Sequence, residues 1–165
     1  MYAIKEIYKT IQGEGAQAGR AAVFVRFSGC NLWSGREKHR ESAVCNFCDT
    51  DFVGTNGVNG GNYSATQIAQ IILEIWGTSF NKLIVFTGGE PMLQLDETLI
   101  KICQENGFET AIETNGTIPI DFHIDWICVS PKEGSELVVK KGNELKVVFP
   151  QAGQNLNYFL NLDFD

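Results

Sequence analysis

The chain is predicted to fold as an α/β protein around a mainly parallel sheet. Strand-like and helix-like segments alternate along it. Several of the strand-like segments are near-continuous runs of β-branched and aromatic residues, as expected of strands covered on both faces. Those runs end in short polar or glycine-rich turns, which places candidate chemistry at the carboxyl ends of the strands.

Taken in order, Ala3 to Tyr8 and Val23 to Ser28 read as strands, the second a buried one. The loop from Asn31 to Asn46 follows. Its mixed-charge run Gly35-Arg36-Glu37-Lys38-His39-Arg40-Glu41 reads as a solvated turn, with a partner-docking patch as the other reading. Gly54 to Gly61 is a second flexible loop, rich in Gly and Asn. Ser64 is the expected N-cap of a helix to about Trp76, with Ile68, Ile71, Ile72 and Ile75 at helical spacing toward the sheet. Leu83 to Phe86 reads as a buried strand. Leu95 to Glu105 reads as a helix with Leu99, Ile100 and Cys103 inward, stopped by Asn106-Gly107. Phe108 to Glu113, Trp126 to Val129 and Leu145 to Phe149 supply the remaining strands. Right-handed crossovers join strands in this pattern.

Composition bounds the rest. A chain of 165 residues, 44% hydrophobic and 20% charged, is expected to be one domain over residues 1–165 with a continuous core. No apolar stretch approaches the roughly 20 residues that span a bilayer, and the first residues lack the features of a signal peptide, so the expected setting is cytoplasmic, away from membranes. A net charge of −7 argues against a broad phosphate-binding surface, hence against direct nucleic-acid contact, and for a small-molecule ligand.

Cys30, Cys45 and Cys48 are three of the five cysteines and are spaced C-x14-C-x2-C with no fourth nearby. Structural zinc takes four protein ligands, whereas three thiolates on a [4Fe–4S] cluster leave one iron open to a small molecule. His39 keeps a Cys3His zinc site open as the alternative. Cys103 and Cys128 lie inside apolar segments, where cysteine behaves as a small hydrophobe, and both are expected in the core.

Thr87-Gly88-Gly89-Glu90-Pro91 ends the apolar run Leu83 to Phe86, Phe47 sits between the paired cysteines, Gln12-Gly13-Glu14-Gly15 precedes the strand leading to Cys30, and Asp49-Thr50 follows Cys48. Taken together these segments resemble the 7-carboxy-7-deazaguanine synthases, a family of the radical S-adenosylmethionine (SAM) superfamily, whose usual first cysteine gap is three residues; some members carry the long gap. The resemblance runs from about Tyr2 to the end of the chain. It implies an open, incomplete (β/α) barrel of radical SAM type, which here stops short of the strand and helix that continue other members. It also implies radical ring contraction of 6-carboxy-5,6,7,8-tetrahydropterin to 7-carboxy-7-deazaguanine with loss of ammonia, on the route to queuosine and related 7-deazapurines. A [4Fe–4S] cluster, SAM and Mg2+ would be the cofactors, flavodoxin or ferredoxin the reductant, and a homodimer the assembly.

Residue by residue, the resemblance assigns Cys30, Cys45 and Cys48 to the cluster, and Phe47, Gly88, Gly89 and Glu90 to SAM. Glu113, Asn115, Ser130 and Lys132 would add further SAM contacts, and Thr50 an oxygen for Mg2+. Gln12, Glu14 and Arg26 are expected to recognise the substrate, with Thr87 and Gly89 at the pocket floor. Chemistry agrees: a carboxylate such as Glu14 accepts paired N–H donors, a guanidinium such as Arg26 suits a carboxylate, and Mg2+ takes hard oxygen ligands. Blander readings stay open beside these: an exposed polar loop for Gln12 and Glu14, an outward strand residue for Arg26, a tight turn for Gly88 to Pro91, and turn caps for Asp49 and Thr50. No residue stands out as a general acid or base. Two other functions share parts of the pattern: a radical SAM activase acting on a partner protein, and a non-enzymatic zinc module.

Overall fold

The computed structural model describes residues 1–165. Seven strands form its main sheet: β1 (Tyr2–Ile11), β2 (Ala21–Phe27), β3 (Gly61–Tyr63), β4 (Leu83–Gly88), β5 (Glu109–Thr114), β6 (Trp126–Val129) and β8 (Glu144–Leu145). Their spatial order is β3-β1-β2-β4-β5-β6-β8. The chain enters through antiparallel pairs, β1 with β2 and with β3, and every later neighbour is parallel. The edge strands β3 and β8 do not pair, so the barrel is open. A separate pair joins β7 (Lys141–Gly142) to β9 (Asp163–Phe164), and a four-residue helix α3 (Leu156–Phe159) lies between them in sequence.

Helix α1 (Ala65–Trp76) begins where expected, because the Ser64 side chain accepts from the Gln67 amide while the Gln67 side chain accepts from the Ser64 amide. Helix α2 (Glu97–Glu105) starts two residues later than the pattern suggests. The Asp96 carboxylate caps the Leu99 amide there, and it also accepts from the Tyr2 hydroxyl at 2.7 Å. Gly107, at φ 79°, ends the helix in the left-handed conformation. Both helices pack on one face of the sheet. Twenty buried residues make that core, among them Ile4, Val25, Ile68, Ile72, Phe86, Leu99, Ile100 and Cys103. Ile71 and Ile75, expected inward, are only partly buried at its margin.

The other face changes character along the strands. Ala22, Leu83, Val85 and Ala111 form a small second apolar cluster, flanked by Phe24 and Trp126. One pleat further toward the carboxyl ends, the same face carries Arg26, Thr87, Glu113 and Cys128 in neighbouring strands. The apolar floor thus gives way to ionisable groups at the strand ends, where α/β sheets place ligands.

Three segments depart from expectation. Leu145 to Phe149 forms a strand only through Leu145, with one more bond from the Lys146 amide to the Val129 carbonyl. Its partner β6 ends before Ser130-Pro131, and a proline supplies no amide to extend the ladder. Gly54 to Gly61 is bound to the sheet: the Ile7 amide bonds Val58, the Gly57 amide bonds Lys5, and β3 grows from the loop's end. The charged run after Gly35 is not a fully solvated turn, since Glu37–His39 make a 3-10 turn whose capping residue, Arg40, reaches back into the fold.

Candidate active site

Two adjoining cavities open at the carboxyl ends of the strands. The inner one, about 140 Å³, has Cys30, Cys45 and Cys48 in its wall together with Gly88, Gly89 and Asn115. The outer groove, about 910 Å³, is lined by Gln12, Glu14, Arg26, Phe47 and Asp49 among others. Eight residues line both: Cys45, Cys48, Thr50, Thr87, Glu113, Ser130, Lys132 and Lys146.

The inner wall is brought together by tight backbone packing. Gly29, at φ 91°, turns the chain out of β2 and puts Cys30 against the end of β4. The Glu90 amide bonds the Gly29 carbonyl at 2.9 Å, and a Cβ on Gly89 would collide with Gly29 and Cys30. The second and third cysteines return to the first through the Cys45 amide, which bonds the Leu32 carbonyl.

The thiols behave as a group. The Cys30 sulfur accepts from the Leu32 amide at 3.4 Å, while its burial raises its pKa. Cys45 donates its thiol to Cys48, which raises Cys45 and lowers Cys48 to about 6; the Thr50 backbone and hydroxyl also favour the Cys48 thiolate. No three His, Cys, Asp or Glu side chains close up around a single ion, and His39 is exposed with its Nδ1 2.7 Å from the Ser34 hydroxyl. A Cys3His zinc site does not match that arrangement. A cubane cluster distributes its thiolate ligands over separate irons, so three cysteines walling one cavity without a fourth protein ligand suit it. Trp33, also in this wall, has a buried Nε1–H with no partner, a donor that an acceptor-rich occupant such as a sulfide would satisfy. The residues present therefore fit an iron–sulfur cluster held by three thiolates.

Glu113 is the hub between the cavities. It accepts from Gln12 Nε2 at 3.1 Å and from Thr87 Oγ1 at 3.3 Å, and pairs with Lys146 Nζ at 3.4 Å. The same lysine nitrogen lies 3.2 Å from Glu14. Burial works to lower the Lys146 pKa, but Glu113 and then the other facing groups outweigh it and the net shift is upward. Lys132 runs the other way. Burial lowers its pKa, its ammonium is held by the Ser130 carbonyl and hydroxyl at 2.6 and 2.7 Å, and Cys45 only partly offsets the loss of solvent.

Most expected site residues meet at these cavities, but three are placed differently. Glu90 is fully buried and lines neither cavity; its carboxylate caps the Met92 amide and accepts from the Asn115 amide and the Thr114 hydroxyl. Burial raises its pKa against those donors. It fixes the turn against β5 through three accepted hydrogen bonds. Gly89 belongs to the inner cavity and not to the groove floor. Arg26 does face the groove, yet its Nε bonds Glu6 at 2.9 Å and its Nη2 bonds the Tyr8 hydroxyl at 3.2 Å, leaving Nη1 for a ligand. Asn115 holds the cluster loop, its Nδ2 donating to Asn31 at 2.9 Å.

Lys146, Trp33 and Asn31 were not anticipated. Lys146 had a signal: a lysine inside the otherwise apolar run Leu145 to Phe149. Trp33 and Asn31 had none, since their roles depend on where a long loop folds back.

Comparison with known proteins agrees with this geometry. Residues 39–161 match the model of the radical SAM superfamily, a span that takes in Cys45 and Cys48. The 7-carboxy-7-deazaguanine synthases of Bordetella pertussis and Burkholderia multivorans are 57% and 58% identical over 99% of this chain and 79% of theirs. That of Bacteroides thetaiotaomicron is 38% identical over 96% of this chain and 75% of its own. The crystal structure of QueE from Escherichia coli superposes with a TM-score of 0.69 at 27% identity, covering 88% of this chain and 69% of that one. A cluster-binding wall at the carboxyl end of an open parallel sheet, with relatives this similar over nearly its whole length, shows that the chain belongs to the 7-carboxy-7-deazaguanine synthase family of the radical SAM superfamily.

Proposed function

We propose that the chain converts 6-carboxy-5,6,7,8-tetrahydropterin to 7-carboxy-7-deazaguanine with loss of ammonia. The observation that carries this reading is the join between the cavities: three thiols face one, Gln12, Glu14 and Arg26 face the other, and eight residues wall both. A [4Fe–4S] cluster bound through Cys30, Cys45 and Cys48 would coordinate SAM at its open iron and, on one-electron reduction, supply the adenosyl radical that takes hydrogen from the substrate.

The chain's own residues place the reactants. Gly88 and Gly89 let the end of β4 lie directly against Phe27, Gly29 and Cys30 where it walls the inner cavity, and Asn115, Ser130 and Lys132 offer polar groups to SAM from the ends of β5 and β6. In the groove, Glu14 accepts the amine and ring N–H of the pterin edge, and Arg26 offers its remaining donors to the carboxylate. Glu113, braced by Gln12 and Thr87, keeps Lys146 at the junction. Thr50 lines both cavities and supplies an oxygen for Mg2+. The chain thus contributes orientation and exclusion of water more than proton transfer. The same reading includes a one-electron donor such as flavodoxin or ferredoxin, a homodimer, and a reducing, cytoplasmic setting in which five unpaired cysteines persist.

Anaerobic reconstitution with iron and sulfide, followed by incubation with SAM, Mg2+, dithionite and the carboxypterin, tests it. Formation of 7-carboxy-7-deazaguanine is expected. A fully loaded chain that cleaves SAM but leaves the pterin unchanged would overturn it.

A further inference from the structure

Fourteen residues separate the first two cluster cysteines, and one side chain gathers them. Arg40 donates from Nε and Nη2 to the two oxygens of Glu37, at 2.7 and 2.9 Å, and from Nη1 to the carbonyls of Asn46 and Cys48, at 2.9 and 3.0 Å. Those four bonds use most of the five N–H donors of a guanidinium. Its Cζ lies over the Trp33 ring, 4.2 Å from the centroid, and Trp33 is buried edge-to-face against Phe52 with centroids 5.6 Å apart. One residue therefore touches both ends of the gap: the indole three positions after Cys30, and the backbone on either side of Phe47 between Cys45 and Cys48.

We propose that Arg40 is a positioning residue for the iron–sulfur site, fixing the Cys45-to-Cys48 turn against Trp33 so that the long gap delivers three convergent thiols. This deepens the cluster reading above and rests on it. The geometry needs a planar fork. A lysine at this position could offer a charge but lacks the planar fork that reaches two carbonyls and a carboxylate at once. Charge-assisted bonds to backbone carbonyls also fix a turn that contains no helix or strand of its own. Groups of this kind, one shell out from the ligands, typically govern metal retention about 10–100-fold.

Arg40→Lys and Arg40→Met, compared with the native chain after anaerobic reconstitution, provide the test. Three quantities are read: iron and sulfide per chain, the rate of iron loss to a chelator, and the midpoint potential of the cluster followed by its spin-resonance signal. Both variants should lose iron about 10–100-fold faster. Arg40→Lys should keep a potential close to native, because the positive charge stays, whereas Arg40→Met should shift it to more negative values. Thermal melting of the cluster-free proteins should move by no more than a few degrees, since Arg40 touches none of the residues of the main core. Native-like iron retention by Arg40→Lys would overturn the proposal. So would a drop in the cluster-free melting point as large as that of a core truncation, which would make Arg40 general scaffold. A native chain that binds no cluster at all would instead remove the cluster reading itself.

Discussion

The two faces of the sheet are built from the same strands and obey different rules. On the helix side, Val25, Ile84, Phe86 and Ile112 are buried, and α1 and α2 complete a core of twenty buried residues. On the open side, the apolar Ala22, Leu83, Val85 and Ala111 give way toward the carboxyl ends to Arg26, Thr87, Glu113 and Cys128. The first face needs only hydrophobic residues of suitable volume, so its energetics are those of area removed from water. The second must hold Glu113, Lys132 and Lys146 partly or largely out of water, which is stable only while each has a partner. Lesions on the two faces should therefore fail differently, one in stability and the other in chemistry.

The sharpest separation uses two cysteines. Cys45→Ala should abolish cluster assembly and SAM cleavage, measured as iron and sulfide per chain. Cys103→Ala, in the helix-side core, should leave both intact and cost about 1–2 kcal/mol of stability. A full cluster in the Cys45 variant would remove that residue from the ligand set. Next in size, Ile72→Ala in α1 should cost about 2–5 kcal/mol in denaturant unfolding while the folded variant keeps its cluster. Loss of the cluster before loss of the fold would mean that the two faces are not independent.

Glu14→Ala should lower kcat/KM for the carboxypterin roughly a hundredfold, because about 1.4 kcal/mol is a factor of ten and a charge-assisted pair is worth a few kcal/mol. SAM cleavage without substrate should persist. If both fall with the fold intact, Glu14 belongs to the inner cavity; if neither falls, the pterin assignment fails. The smallest effect concerns Asp125, at the opposite end of the strands. Burial tends to raise its pKa, but the Thr110 amide and hydroxyl at 2.8 and 2.7 Å, with Gln104 and His123, lower it overall. The charged form is thus favoured by folding, and its contribution is present above the unfolded pKa of about 3.9 and fades as pH falls through the lower folded value. The stability gap between the native chain and Asp125→Asn should narrow below about pH 4, and a gap constant down to pH 2 would contradict the assignment.

How much of this was legible in the sequence depended on range. Strand and helix identities could be read because local periodicity and the Ser64 cap specify them within a few residues. The three cysteines could be picked out because a rare residue type at close spacing carries a recognisable chemistry, whereas Gln12, Glu14 and Arg26 were singled out by the family resemblance of the segments that hold them. The buried capping role of Glu90 was hidden for a physical reason: a carboxylate beside two glycines looks the same in sequence whether it is exposed or caps a buried turn, and only the approach of Asn115 from β5 reveals the cap. Arg40 was hidden in a run of alternating charges that reads as solvated. Its partners, two backbone carbonyls and an indole, leave no trace in residue-type patterns.

Because eight residues form a common wall between the two cavities, occupancy of one is expected to be felt by the other. Ligands that share a wall are linked thermodynamically, and whatever factor the cofactor imposes on substrate affinity, the substrate must impose on cofactor affinity. Substitutions at Thr87, Lys132 or Lys146, which line both cavities, are expected to alter both dissociation constants. The separation of cofactor and substrate becomes one of degree, and the two ligands are expected to bind as an interdependent pair, each helping to complete the other's site.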